Sequence, residues 1–537
     1  MKKMIALLLS ASMIMACAAC TKETEETKKK KKKKKSTTTT EETTTEEPSE
    51  STTTEETTEE TTTETATSPG SGVTLDDVLV FDTSLEQILI ENYPSQYAYG
   101  VLADPDSQYN QYGTVTAVYE DVDDLYVSTS GYDNLEVIFD DVYGYILDKY
   151  DTQYEEALEE FLTDIENGIL PSPVYIECYS DVTRADSFIT SFFVREYDDN
   201  YDYIYNVFNV YTETCDQILF TDVVKDPDAL CQVVLNCPDL YNAEDYVEDI
   251  NNGTIAFTMD YDGIIMYCGY SRIKVSAIAN QSVFNMGFFG KTPEYYVLHG
   301  DFNHEIYWDL DTDGTPERIS ITGPDYLTDY SDREYIFDIN GVTSRMGPDN
   351  AHDLEGIIED VYLARTDEGF VFIVETIIED DRTLLNTFTM NKDYTVDFQD
   401  QLQGYFWMSP YDPNYLQILR GIDLVGSSYG TNTYSLMGLM GTFWYESSLF
   451  LRPGSVLVAK TEFDAVDGNG SAFTVDKDTS LRMVGYDIEN GVAYFEILYP
   501  DGIENQIICM ELEGEDWPFK LNGQDERDLF FGLMYGG

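Results

Sequence analysis

Residues 21–72 contain no large apolar side chain. Residues 28–35 are eight consecutive lysines, and Thr, Glu, Ser and Pro dominate from there to Gly72. Such a segment cannot bury enough surface to offset the entropy of ordering it. It reads as a solvated, extended tether, so the folded modules must be built from Val73 onward. Ahead of the tether, Met1-Lys2-Lys3-Met4 is basic. Residues 5–15 are apolar but too few to span a bilayer stably. Ala16-Cys17-Ala18-Ala19-Cys20 follows. Residues 1–20 therefore have the layout of a bacterial secretory signal.

Ile14-Met15-Ala16-Cys17 and Cys17-Ala18-Ala19-Cys20 both resemble the lipobox of bacterial lipoproteins. That resemblance implies that Cys17 or Cys20 carries diacylglycerol. It places the chain on the outer face of the cytoplasmic membrane, in a Gram-positive bacterium. The lysine run would then lie close to anionic lipid, where each basic residue gains about 1 kcal/mol. It would act as the second signal that a single acyl anchor needs. Lysines that only keep the tether soluble are the alternative.

The chain has 31 basic and 101 acidic residues. The first 72 residues hold 11 of the bases and 13 of the acids, which leaves 20 against 88 for the remainder. Nucleic acid is excluded as a partner, because binding it needs a basic face. Cationic partners are favoured, because a negative field raises their encounter rate. Residues 73–537 are too many for one core. Three modules are expected: an α+β domain over 73–298, a β-rich module over 299–405 and a small β domain, a barrel or sandwich, over 406–537. The whole is α+β, rich in antiparallel strands. Six cysteines lie beyond the signal, at 178, 215, 231, 237, 268 and 509. Disulfides and buried thiols are both open for them.

Alternation at Val115, Ala117 and Tyr119 predicts a strand. Thr152-Gln153-Tyr154-Glu155 reads as a capping box. It is followed by Tyr154, Leu158, Phe161, Leu162 and Ile165 at helical spacing, and Gly168 ends that helix. Strands are expected at 174–179, 187–195 and 203–211, and a helix at 226–236. A hairpin is expected from 254 to 270, turned at Tyr261-Asp262-Gly263. The segment 184–192, Asn209-Val210-Tyr211-Thr212-Glu213-Thr214, the segment 218–224 and Asp262-Gly263-Ile264-Ile265-Met266-Tyr267 resemble, in order and spacing, blocks of a family of extracytoplasmic domains. Residues 110–298 are similar to the paired modules of RsiV-type anti-sigma factors, which sense lysozyme, and to modules preceding the catalytic domain of some peptidoglycan deacetylases. The resemblance implies a binding or sensing module. The chain departs from it at Cys268-Gly269-Tyr270-Ser271-Arg272-Ile273, where a proline-containing segment is expected.

Asp309-Leu310-Asp311-Thr312-Asp313-Gly314-Thr315-Pro316-Glu317 places acids at positions 1, 3, 5 and 9 with glycine at 6. Calcium takes six to eight oxygens, and this spacing converges carboxylates on one ion while the glycine permits the sharp turn. The expected ligands are Asp309, Asp311, Asp313, Glu317 and the Thr315 carbonyl. Position 12 is Ser320 rather than a bidentate Glu, and the flanks at 306–310 and 318–321 read as strands. The loop resembles the calcium turns of β-propeller and repeat modules, with a structural role for the ion. Asp464-Ala465-Val466-Asp467-Gly468-Asn469-Gly470 has the wrong spacing and reads as a hairpin turn.

No catalytic constellation is complete. Gly426-Ser427-Ser428-Tyr429-Gly430 fits a nucleophile elbow, but its histidine must follow the serine and none lies beyond His352. His299 and His304, near Asp301 and Glu305, lack an i,i+4 spacing and read as surface histidines. Acid pairs such as Asp198-Asp199 could serve glycosidase chemistry, but carry little information in so acidic a chain. The reading is a surface lipoprotein that binds a wall component or a cationic protein such as lysozyme. A glycan- or peptidoglycan-acting enzyme and a structural or adhesive protein are the alternatives. Replacing Cys17 and Cys20 together by Ser is expected to release the chain from the membrane fraction. Retention there in high salt would overturn the anchor.

Overall fold

The computed structural model describes residues 82–197, 202–238, 240–324, 334–347, 356–378, 382–438, 441–445, 447–451, 454–500, 506–514 and 519–535. Two units separate along the chain, Met1–Thr74 and Leu75–Gly537, and all described residues belong to the second. The expected signal, tether, Cys17 and Cys20 lie outside them, as do His352 and Asp198-Asp199. The fold is α+β and its sheets are mostly antiparallel.

The first sheet has the strand order Ser95–Asp104, Thr114–Val122, Val174–Ala185, Ile189–Tyr197, Tyr203–Tyr211. Its one parallel contact joins Thr114–Val122 to Val174–Ala185. Parallel neighbours need a long crossover, and helix α1, Asp133–Glu166, supplies it. Leu135, Phe139, Tyr143, Ile146, Tyr150, Tyr154, Leu158 and Phe161 recur every three or four residues and form one buried stripe. The stripe lies on the sheet, with the Phe139 ring 4.6 Å from Phe192 and Phe192 stacked 4.7 Å from Phe208.

The capping box expected at Thr152 is not a helix start. The stripe begins a further five turns upstream, and Thr152 sits in mid-helix with its hydroxyl donating to the Asp148 carbonyl. The expected stop is present, since Gly168 has φ 71° just past the C-cap Asn167.

Helix α2, Phe220–Val223, leads to α3, Pro227–Leu235, and α4, Ala243–Asn252. Asp226 caps α3 by accepting from the Ala229 amide, and Pro227 takes the first helical position. The expected hairpin pairs Ala256–Met259 with Gly263–Cys268, and Ser271–Ser276 adds a third strand. A five-stranded sheet follows, in the order Tyr296–His299, Ile357–Thr366, Gly369–Ile377, Thr383–Met390, Val396–Gln403. Glu305–Trp308, Glu317–Thr322, Tyr335–Ile339 and Val342–Met346 form a meander. One hydrophobic core runs from Ile189 to Val396, through α3, α4 and these three sheets.

Beyond Gly404 the strands join in a branched thirteen-stranded sheet, among the described residues, with its own core from Leu424 to Leu533. Ser427–Tyr434 is a plain strand of it, so Ser428, the central serine of the pattern, occupies no strand-to-helix elbow. Phe463–Asp467 pairs with Ala472–Val475 around the expected hairpin turn. A short helix α5, Glu526–Leu529, leads into the strand Phe530–Phe531. Among the described residues no disulfide joins the six cysteines.

Thr152→Ala is expected to change stability by less than about 0.5 kcal/mol, as for an ordinary exposed helix position. A loss of about 1 kcal/mol or more on urea unfolding would restore Thr152 as a cap. Phe139→Ala is expected to cost about 3–5 kcal/mol by the same measurement.

Candidate functional site

The acidic loop closes the hairpin in which Trp308 pairs with Glu317. Asp309 and Glu317 are buried and Asp311 is exposed. One carboxylate oxygen from each of these three lies within 4.8 Å of the others. Backbone amides shape the loop. Asp309 accepts from the Asp313 amide at 3.1 Å and the Gly314 amide at 2.8 Å, and Glu317 accepts from the Leu310 amide at 2.7 Å. Thr312 and Gly314 have φ of 63° and 87°, the left-handed conformation the tight turn needs. Burial pushes the Glu317 carboxyl above its ordinary range. The Leu310 amide opposes this, and the Asp311 and Asp309 charges add to it.

Three convergent carboxylates are hard oxygen donors, the chemistry a calcium ion takes. Asp313 is outside these three gathered carboxylates. Asp313 instead accepts from the Thr315 amide at 2.7 Å. Ser320, at position 12, lies in the strand opposite Glu305. Tyr394, 83 residues away in sequence, donates its hydroxyl to Asp311 at 3.0 Å.

His299 corrects the surface reading. It ends a strand paired with Tyr362, it is 5 % exposed, and its ring meets Tyr362 edge-on at 4.9 Å. The neighbouring acids and glycine in the sequence suggested surface, but the strand carries the ring inward. Burial pushes its pKa down to about 4, so the ring is neutral at neutral pH. His304 is partly buried and burial lowers it too. Beside His299 the Lys274 ammonium lies 2.7 Å from Asp260 and 2.5 Å from Asp262, and it donates to the His299 carbonyl. Burial alone would raise Asp260. The Lys274 charge and its hydrogen bond outweigh it and hold that carboxyl below its ordinary range.

A second acidic arrangement was not legible in the sequence. Asp360 and Glu375 stand directly opposite on neighbouring strands, and a bulge at Glu359 interrupts the register beside them. Arg272 pairs with Asp360, and Tyr362 donates to Glu375 at 3.2 Å. Burial, then the Asp360 charge, push the Glu375 pKa up to about 8. Glu375 is therefore largely protonated at neutral pH. The two acids are 15 positions apart, and only strand register brings them together.

No family model matches the chain and no curated protein matches it. Among solved structures, a member of the DUF3298 family from Bacteroides fragilis aligns with 14 % identity over 38 % of this chain and 98 % of its own, at a TM-score of 0.25. A likeness that slight carries no argument about this chain.

Glu375 gives a pH signature. Its carboxyl titrates near its ordinary 4.5 when unfolded and near 8 when folded. Between those values the folded state binds more protons, so this group's contribution to stability falls as pH rises. Glu375→Gln is expected to flatten the decline in melting temperature between pH 5 and pH 8, read by thermal melts. An unchanged pH slope would refute the assignment.

Proposed function

We propose that the chain is a non-catalytic binding or sensing module, held at the cell surface through lipidated Cys17 or Cys20, whose partner is cationic. The observation that carries this reading is the outer face of α1. Asp133, Glu136, Asp140, Asp141, Asp148, Glu155, Glu156, Glu159, Glu160 and Glu166 are all exposed on it. The helix has one base, Lys149, and that is engaged by Glu196. At 1.5 Å per residue the ridge is about 50 Å long.

The arrangement works against the helix itself. Glu155 with Glu159 and Glu156 with Glu160 are like charges at i,i+4, each pair costing about 0.2–0.5 kcal/mol. No base occupies the last turn, where Asp164 and Glu166 meet the negative end of the macrodipole. Solubility requires excess acid but does not require its concentration along one helix. A basic surface would relieve both penalties. The resemblance of residues 110–298 to lysozyme-sensing modules, which encloses α1, makes lysozyme the natural probe.

The loop acids Asp309, Asp311 and Glu317 are proposed to hold a structural calcium ion that locks the hairpin. The second reading, an enzyme acting on glycan or peptidoglycan, is favoured by one observation. A protonated Glu375 opposite Asp360 has the form of an acid and base pair. Glu375 is 9 % exposed, and a substrate could scarcely reach it.

Two measurements test the proposal. Changing Glu155, Glu156, Glu159 and Glu160 together to Gln is expected to weaken lysozyme binding at physiological salt at least tenfold. Screening limits non-specific attraction to about 8 Å there. Binding that vanishes at that salt in the unaltered chain would leave only non-specific attraction. Chelation of calcium is expected to lower the melting temperature of the unaltered chain, since an ion bound only to the folded state stabilises it by mass action. Asp311→Ala should abolish that response, and a melting curve indifferent to chelator would exclude the ion.

A further inference from the structure

On another part of the molecule, an open cleft of about 420 Å³ lies between α3, the end of the strand Ser271–Ser276 with the turn behind it, and the segment leading into Glu305–Trp308. Its size falls within the ~300–1,000 Å³ of small-molecule sites. Its lining is unusual for this chain. Four carboxamides, Gln232, Asn236, Asn280 and Asn303, project there with Ser276, and Phe302 and Tyr307 add aromatic surface. The charged groups on the wall are two carboxylates, Asp301 and Glu305, and no base lines it.

We propose that this cleft binds a neutral, hydroxyl-rich saccharide. A carboxamide has donors and an acceptor, which match a sugar hydroxyl that both donates and accepts. Asn236 and Asn280 each spend one N–H on a backbone carbonyl, of Gln232 and of Ser276. The side-chain amides of Gln232 and Asn303 make no hydrogen bond to a described residue, so they are free for a ligand. Asp301 is held rigidly. Its Oδ1 accepts from the Asn303 amide at 2.9 Å and the Glu305 amide at 3.0 Å. That leaves Oδ2 to accept from a hydroxyl. Burial pushes the Asp301 carboxyl up to about 6, and it remains mostly ionised at neutral pH. Glu305 is tied to Arg318 and to the Tyr307 hydroxyl, which fixes the Tyr307 ring at the wall. The aromatic faces suit the apolar faces of a pyranose ring. An anionic sugar would meet the Asp301 carboxylate with no lining base to offset it, while Glu305 is already paired with Arg318, so uronic acids are disfavoured by the same chemistry. The site does not depend on α1 and does not require the cationic partner.

The test is isothermal titration and saturation-transfer NMR on the signal-less chain, with tri-N-acetylglucosamine, cellotriose and trigalacturonate as probes. At least one neutral trisaccharide is expected to bind saturably and trigalacturonate is expected not to. Gln232→Ala and Asn303→Ala should each weaken binding about fivefold or more, the effect of one lost hydrogen bond. Both side chains are exposed and unbonded, so neither change threatens the fold. The fourfold Glu-to-Gln change on α1 should leave saccharide binding intact, which separates failure here from failure of the cationic-partner reading. The proposal is overturned if neither neutral sugar binds at ~10 mM, if both variants bind as the unaltered chain does, or if trigalacturonate binds equally well.

Discussion

Three buried cations hold the seams of this protein. The body of the chain has only 20 basic residues, yet Arg184, Lys274 and Arg482 are each at most 5 % exposed. Arg184 bonds Asp186 at 2.7 Å and the Phe288 carbonyl at 2.8 Å, tying the first sheet to the segment after the hairpin sheet. Lys274 gathers Asp260 and Asp262 and reaches the carbonyl of His299, joining that hairpin sheet to the five-stranded one. Arg482 bonds Glu496 at 2.7 Å and reaches back to the Gln96 carbonyl at 2.7 Å, linking the last sheet to the first. A buried ion pair is a poor source of net stability, because desolvation offsets its attraction. Losing one partner nevertheless costs about 3–5 kcal/mol, since it strands a charge. These contacts therefore specify how the sheets meet more than they stabilise each sheet.

The same division explains the surface. Bases drawn into seams, or into pairs such as Lys149 with Glu196 and Arg272 with Asp360, are not available to screen the acids outside. The face of α1 is left almost purely negative. The hairpin loop gathers Asp309, Asp311 and Glu317 in a segment, 309–317, that has no basic residue. The carboxamide cleft beside α3 differs in kind. Its wall is polar more than charged, which suits a neutral ligand.

The elements of the fold were legible where a residue pattern has one physical meaning. Asp226 followed by Pro227 marks a helix start, and α3 begins there. Tyr203–Tyr211 and the hairpin at Gly263 were likewise readable from alternation and turn chemistry. The pattern misled at Thr152, because a capping box and four residues inside a helix look alike. Only the apolar stripe back to Leu135 tells them apart. His299 misled for a related reason. Neighbouring charge is a surface signal on average, but strand pairing with Tyr362 overrides it.

The sequence alone determined that residues 21–72 carry no large apolar side chain, that the body is acidic and strand-rich, and that a carboxylate loop lies at 309–317. Each of these follows from local composition or spacing, which need no partner from elsewhere in the chain. The tertiary structure decided which loop acids converge, that Glu375 faces Asp360, that His299 is neutral and buried, and which three of the scarce bases become seams. Those facts depend on register and packing between residues far apart in sequence. Burial, which sets the protonation of Glu375 and His299, exists only once the sheets have met.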